Sequence, residues 1–275
     1  MQENNRPKIG LALGSGGLRG LAHIGAIKVL LKNKIPIDYI SGASSGALVG
    51  AYLAVYGEVN SLEKLILKER EKLMPLFVDF SLLGGFINGK KINEYLKQVF
   101  NDANFSDTKI PLNIITTDLV SGQAVYFSSG RLIPAIRGSI SVPIVFKPLD
   151  YEDKVLVDGG LSDPVPVDIL KKNKTDKIIA INLYHKNEFK NNKFTVSKVA
   201  LRSTRIALYN LAKISVSNAD IVLNPDLSHI SNIKFINYFD KKNIKNFISL
   251  GEKEALKKLP EIKKMLTSTD KINKI

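Results

Sequence analysis

The chain has 275 residues, 44% of them hydrophobic and 24% charged, the make-up of a globular protein with one large core rather than a disordered or fibrous one. It has no cysteine, which excludes disulfides, thiol catalysis and cysteine-ligated metals. The formal charge is +14, with 18 Lys plus Arg against 8 Asp plus Glu from Lys186 onward, so an acidic partner such as an anionic bilayer is favoured over a basic one.

Lysine dominates that charge and no aromatic-and-basic motif accompanies it, so nucleic acid is not expected as a partner. The plain alternative to membrane attraction is a set of solvated, lysine-rich helix faces. The only histidines, His23, His185 and His229, show no metal-binding spacing, so neither a metal nor another cofactor is expected. Met1 to Lys8 holds no apolar stretch, which predicts no signal peptide. No run reaches the roughly eighteen apolar residues of a membrane span. The protein is expected to be cytoplasmic, with peripheral membrane contact as the charge allows.

Lys8–Leu13 reads as a first strand and Leu18–Lys34 as a helix, with Leu21, Ile24, Ile27, Leu30 and Leu31 at helical spacing. Between them lies Gly14-Ser15-Gly16-Gly17-Leu18-Arg19-Gly20, a turn whose amides can face an anion. It is not a dinucleotide fingerprint, because arginine stands at position 19 where glycine is needed. No Gly-Lys-Ser/Thr follows, so it is not a P-loop either. An oxyanion loop fits better.

Ile37–Ile40 is a second strand, followed by Gly42-Ala43-Ser44-Ser45-Gly46 and an apolar helix from Ala47. A serine on a tight strand-to-helix turn has its hydroxyl forced outward, and flanking glycines avoid the clash a side chain would make. This is how an acyl-transfer nucleophile is held; a serine that merely caps the helix is the ordinary alternative. Ser61–Leu73 is a charged helix leading into the apolar, unperiodic stretch 74–87. Residues 57–110 thus interrupt the strand–helix rhythm. The 74–87 stretch reads as a flap over an acyl-chain pocket, a membrane-touching loop, or a buried connection.

Pro111–Thr116, Ala124–Phe127, Lys154–Val157 and Lys177–Asn182 are further strands, and Val196–Val216 and Gly251–Leu266 are helices with one apolar face. Alternating strands and helices predict an α/β layered fold, a central mainly parallel sheet flanked by helices. One domain is expected over 1–275, with its core from about 8 to 266, an insertion at 57–110 and a tail at 267–275.

A serine nucleophile needs a base. By default this is a histidine, and chain order would implicate His185 or His229, whereas His23 packs or caps beside the glycine loop. No histidine stands out. Asp158-Gly159-Gly160 follows the strand Lys154–Val157, which places Asp158 at a strand's end; an Asp-Gly turn is the plain alternative.

Taken together, four blocks give the chain its resemblance to the patatin-like phospholipases. Gly16-Gly17-Leu18-Arg19-Gly20 matches the oxyanion block and Gly42–Gly46 the nucleophile block. Ser139-Ile140-Ser141-Val142-Pro143 matches the serine-to-proline block, with Gly138 where alanine is usual, and Asp158-Gly159-Gly160 matches the last. The resemblance runs from about Lys8 to Leu266 and implies a three-layer patatin-like fold. It also implies a Ser-Asp dyad, with Ser44 as nucleophile and Asp158 as general base and acid. The implied oxyanion donors are the amides around Gly16, Gly17 and Leu18, with Ser45, while Arg19 braces the loop or attracts a lipid phosphate. The expected activity is hydrolysis of a lipid acyl ester, such as a phospholipid or lysophospholipid, through an acyl-enzyme. The alternatives are acyl transfer on the same fold, a Ser-Asp-His esterase using His185 or His229, and a non-catalytic lipid- or protein-binding regulator.

Overall fold

The structure, a computed structural model, describes residues 6–76, 89–143, 145–185, 195–228 and 235–267. His229, most of the 74–87 stretch and residues 268–275 lie outside them. Strands β1 (Ile9–Leu13), β2 (Tyr39–Ala43), β3 (Leu112–Asp118), β4 (Ala124–Phe127), β5 (Leu149–Tyr151), β6 (Lys154–Asp158), β7 (Lys177–Ile181) and β8 (Ile221–Leu223) form one sheet. Its order is β5-β6-β3-β2-β1-β7-β8, with β4 also on β3. Pairings among β3, β2, β1, β7 and β8 are parallel; those of β4, β5 and β6 are antiparallel. The sheet is therefore mostly parallel, as expected, but Ala124–Phe127 and Lys154–Asp158 belong to its antiparallel part.

Period-two alternation sorts the strand side chains onto two faces. Ile9, Leu11 and Leu13 join Ile179 and Ile181 in one core, whereas Ala12, Ile178 and Ala180 join a second. The first core is closed by helices α1 (Leu21–Lys32), α2 (Ser45–Tyr56), α3 (Asn60–Leu76), α4 (Lys90–Phe100), α5 (Leu132–Ser139) and α8 (Lys241–Thr267). The second is closed by α6 (Asp168–Lys172) and the last turns of α7 (Val196–Ser215). Covering both faces is why the parallel strands read as continuous apolar runs. Helices α1 and α8 touch backbone to backbone: a Cβ at Gly25 would lie 1.9 Å from Ile248 O, and one at Gly251 1.9 Å from Ala22 O. Among the described residues no helix is long and apolar enough to cross a membrane.

The element limits differ from the sequence expectation in ways that have local causes. The helix expected from Leu18 opens instead as a 3-10 turn, Gly17–Gly20, entered through Gly17 at a positive φ of 58°, and becomes α-helical at Leu21. Strand β2 starts at Tyr39 rather than Ile37, since Pro36 has no amide to give the sheet and Asp38 is spent on Ile9 N and Arg6.

One detail of the topology builds the site. Strand β4 runs along one edge of β3, from Ile114 to Thr117. On the other edge β2 pairs up to Ile115, opposite Ala43, and β6 takes over at Thr116, opposite Asp158. The chain leaves β2 at Ser44 just where β6 arrives at Asp158, so the two residues meet on one row of the sheet.

Candidate active site

Ser44 sits on the turn between β2 and α2 with φ 54° and ψ −120°, a strained conformation for any residue with a side chain. The turn is held because helix α2 begins against the end of β1: a Cβ at Gly46 would lie 2.1 Å from Leu13 O, and one at Gly42 2.4 Å from Gly46 O. Ser44 N donates to Ser139 Oγ at 2.8 Å, and Ser139 Oγ donates in turn to Ile115 O at 2.5 Å. Ser139 thus ties the elbow to β3.

Ser44 Oγ donates to Asp158 Oδ2 at 2.6 Å. The other carboxylate oxygen, Oδ1, accepts Gly160 N at 2.7 Å. Thr117 Oγ1 donates to the Asp158 carbonyl, and Asp158 N to Ser141 O. Ser44 and Asp158 are 4% and 7% exposed. Burial pushes the Asp158 carboxyl up to about 6, against the opposing pull of the Ser44 hydroxyl and the Gly160 amide. A carboxylate raised this far is a better base than an ordinary aspartate and is still mostly ionised at neutral pH.

The glycine loop lies beside this pair. Among the described residues, the amides of Gly16, Gly17 and Leu18 donate to no protein acceptor, whereas Ser15 N is taken by Pro164 O and Arg19 N by Gly16 O. Ser45, the first residue of α2, also keeps its amide unspent, and its Oγ is buried without a partner. The loop and the elbow are in contact, since a Cβ at Gly20 would fall 2.4 Å from Ser45 Cβ. Unspent amides at two helix starts are suited to receiving an oxyanion. Arg19 folds back on its own loop: Nε donates to Gly16 O at 3.0 Å and the guanidinium lies over the Tyr184 ring at 5.2 Å.

The structure gives His23 another role. His23 is buried and its Nε2 bonds Gly14 O at 2.7 Å; burial lowers its pKa to about 4, so it is a neutral prop under the glycine loop. No imidazole stands between Ser44 and Asp158. Among the described residues no cluster of three His, Asp or Glu is placed to hold a metal.

Two supports escaped the sequence. Arg137 is buried, bonds Ser141 Oγ and Lys147 O, and lies over the Phe146 ring; a lone arginine in a short helix carries no sign of this. Ser139 was visible only as part of a block, with nothing to show that it bonds the Ser44 amide. Replacing Ser139 by Ala strands that amide, at a cost of about 1–3 kcal/mol, and loosens the elbow. We expect kcat to fall roughly 10- to 100-fold with KM little changed, measured on a soluble ester; an unchanged kcat would show that the elbow holds itself.

With this geometry in view, comparisons with known proteins are informative. The profile of the patatin-like phospholipases matches residues 11–171. An uncharacterised NTE family protein of Mycobacterium tuberculosis is 33% identical over 181 residues, 66% of this chain and 50% of that protein. The lysophospholipase nte1 of Aspergillus fumigatus is 30% identical over 179 residues, 64% of this chain and 12% of that protein. The chain thus spans half the length of the first relative or less. The crystal structure of VipD from Legionella pneumophila superposes with a TM-score of 0.53 over 93% of this chain and 67% of that one, at 13% identity. That likeness is one of fold.

Proposed function

This chain belongs to the patatin-like phospholipase family, and on that premise we propose that it is a serine acyl-ester hydrolase whose substrate is a phospholipid or lysophospholipid. The observation that carries the reading is the 2.6 Å hydrogen bond passed directly from Ser44 Oγ to the buried Asp158 carboxylate. Ser44 Oγ attacks the ester carbonyl as its proton passes to Asp158 Oδ2. The oxyanion is received by the unspent amides of Gly16, Gly17 and Leu18, with Ser45. Collapse expels the alcohol, which takes the proton from Asp158, and leaves the acyl group on Ser44. Asp158 then draws a proton from water, the resulting hydroxide attacks the acyl carbon, and the fatty acid leaves as Ser44 regains its proton. The fungal relative's name supports a lysophospholipid among the substrates to try first.

The test is release of fatty acid from lysophosphatidylcholine and of nitrophenol from a p-nitrophenyl acyl ester, with Ser44→Ala as control. Release by the native chain alone supports the reading; equal release by both overturns it. Because Asp158 must be ionised to accept the proton, kcat/KM should rise with pH through an apparent pKa near 6 and level off above it. That limb should persist in His185→Gln. Its disappearance there would assign the titration to the imidazole.

A further inference from the structure

We infer that the catalytic end of the sheet is a docking rim for an anionic phospholipid bilayer, made by the β3–β4 turn on one side of Ser44 and the first half of α7 on the other. The inference rests on the proposed lipid substrate and names the surface through which that substrate is reached.

The β3–β4 turn lies outside the dyad on the same strand. Thr116 is level with Asp158, and Leu119 N still pairs with Val155 O, so Leu119 stands about 10 Å beyond the dyad row, with Val120 beside it in the turn. They are 54% and 80% exposed. Their position is fixed rather than loose: Asp118 accepts the amides of Val120 and Ser121 and the Ser121 hydroxyl, and Gly122 N closes on Asp118 O. The pinned turn thus holds two branched apolar side chains side by side in solvent.

Helix α7 supplies the other side. Its end leads through a 3-10 turn, Val216–Asn218, to Asp220, which pairs with Lys177 and Ile178 at the start of β7 before β8 begins opposite Ile179; a helix of 20 residues spans about 30 Å against about 17 Å for a five-residue strand. The first turns therefore reach the catalytic edge. Leu208, Tyr209 and Ala212 pack into the second core, but residues 203–207 are exposed all round the helix. Val199 and Ile206 stand out there, 48% and 45% exposed, with Arg202 and Arg205 between and beside them. No acidic residue occurs from Val196 to Asn218. A basic helix with outward apolar groups suits a negatively charged bilayer surface, and the net charge of +14 draws the whole molecule the same way. In the strand order β3-β2-β1-β7, Ser44 lies between the two features.

The test is vesicle flotation of the full chain carrying Ser44→Ala, so that no lipid is consumed, on phosphatidylcholine alone and on phosphatidylcholine mixed with phosphatidylglycerol. Binding should be stronger to the anionic vesicles and should fall about tenfold or more in Leu119→Ser/Val120→Ser and in Arg205→Glu/Ile206→Ser. The same pairs of substitutions in the active chain should turn over p-nitrophenyl butyrate within about twofold of the parent, because neither touches the dyad. Equal binding to both vesicle types, or binding unchanged by both pairs of substitutions, overturns the docking rim. So does a solution dimer that the substitutions split without altering vesicle binding, since the surface would then be meeting a second copy. The two readings fail separately: vesicle binding that follows the prediction without any ester hydrolysis sinks the proposed activity and leaves the rim standing.

Discussion

Asp158→Asn should lower kcat on a soluble ester by about 10⁴-fold while leaving the fold intact and more stable at neutral pH. The loss follows from geometry. Asp158 Oδ2 is the acceptor of the Ser44 proton at 2.6 Å, and an amide at that place cannot take it. Asn retains an oxygen for Gly160 N and an NH₂ group that Ser44 Oγ can accept, so local packing survives. The gain follows from linkage. The folded carboxyl lies at about 6, above its ordinary 3.8, so between those values the native state holds a proton that the unfolded state has released. Stability therefore falls as pH rises through that window, by about 3 kcal/mol once both are passed. Asn removes this penalty. Thermal melts at pH 5 and pH 8 should show the native chain losing stability toward pH 8 and Asp158→Asn losing less. A variant that keeps its activity, or that is less stable at pH 8, would contradict this assignment.

Gly46→Ala should damage both the stability of the fold and the activity of the elbow. The added Cβ would lie 2.1 Å from Leu13 O and 2.5 Å from Leu13 C, and both are backbone atoms of a central strand that no rotamer change can move. Either α2 lifts from β1 or the elbow opens. We expect about 3 kcal/mol or more of lost stability, hence a Tm lower by roughly 6–12 °C, and about 100-fold less activity per folded molecule because the nucleophile is displaced. Gly50→Ala, one turn further along the same helix, meets the movable Ile40 Cγ2 at 3.0 Å and should be near neutral, its tight contact offset by better helix propensity. Equal effects at the two positions would mean that the elbow does not depend on this close approach.

Much of the scaffold could be read in advance because its strands are apolar runs punctuated by glycine. β1, β4, β6 and β7 appear within a residue or so of their expected limits. What escaped was short or disguised. β5 and β8 have three residues each, too few for any alternation to show. Helix α5 carries Pro134 and Gly138 and reads as a loop, although proline is tolerated in a first helical turn. Helix α4 repeats Ile92, Leu96 and Phe100 at helical spacing, a signal that was present and unused. The first ten residues of α8 hid behind a polar, lysine-rich opening.

The candidate site divides along the same physical line. The elbow around Ser44 and the loop around Gly16 are local, so spacing alone pointed to them. Asp158 is 114 residues away from Ser44, and the four-block resemblance was needed to join them. Their meeting depends on β6 replacing β2 along one edge of β3, a hand-over between strands of opposite direction that no sequence spacing encodes. Ser139 and Thr117 support that hand-over through long-range bonds, and long-range bonds leave no local pattern.

The central claim is that Ser44 attacks and Asp158, rather than a histidine, takes its proton. Phosphonylation by a fluorophosphonate, followed by peptide mass spectrometry and timed in parallel for the native chain, Asp158→Asn and His185→Gln, tests it most directly. The account predicts a single adduct on Ser44, formed at the native rate in His185→Gln and at least about a hundredfold more slowly in Asp158→Asn. An adduct on another residue, or a rate that collapses with His185→Gln and survives Asp158→Asn, would contradict it.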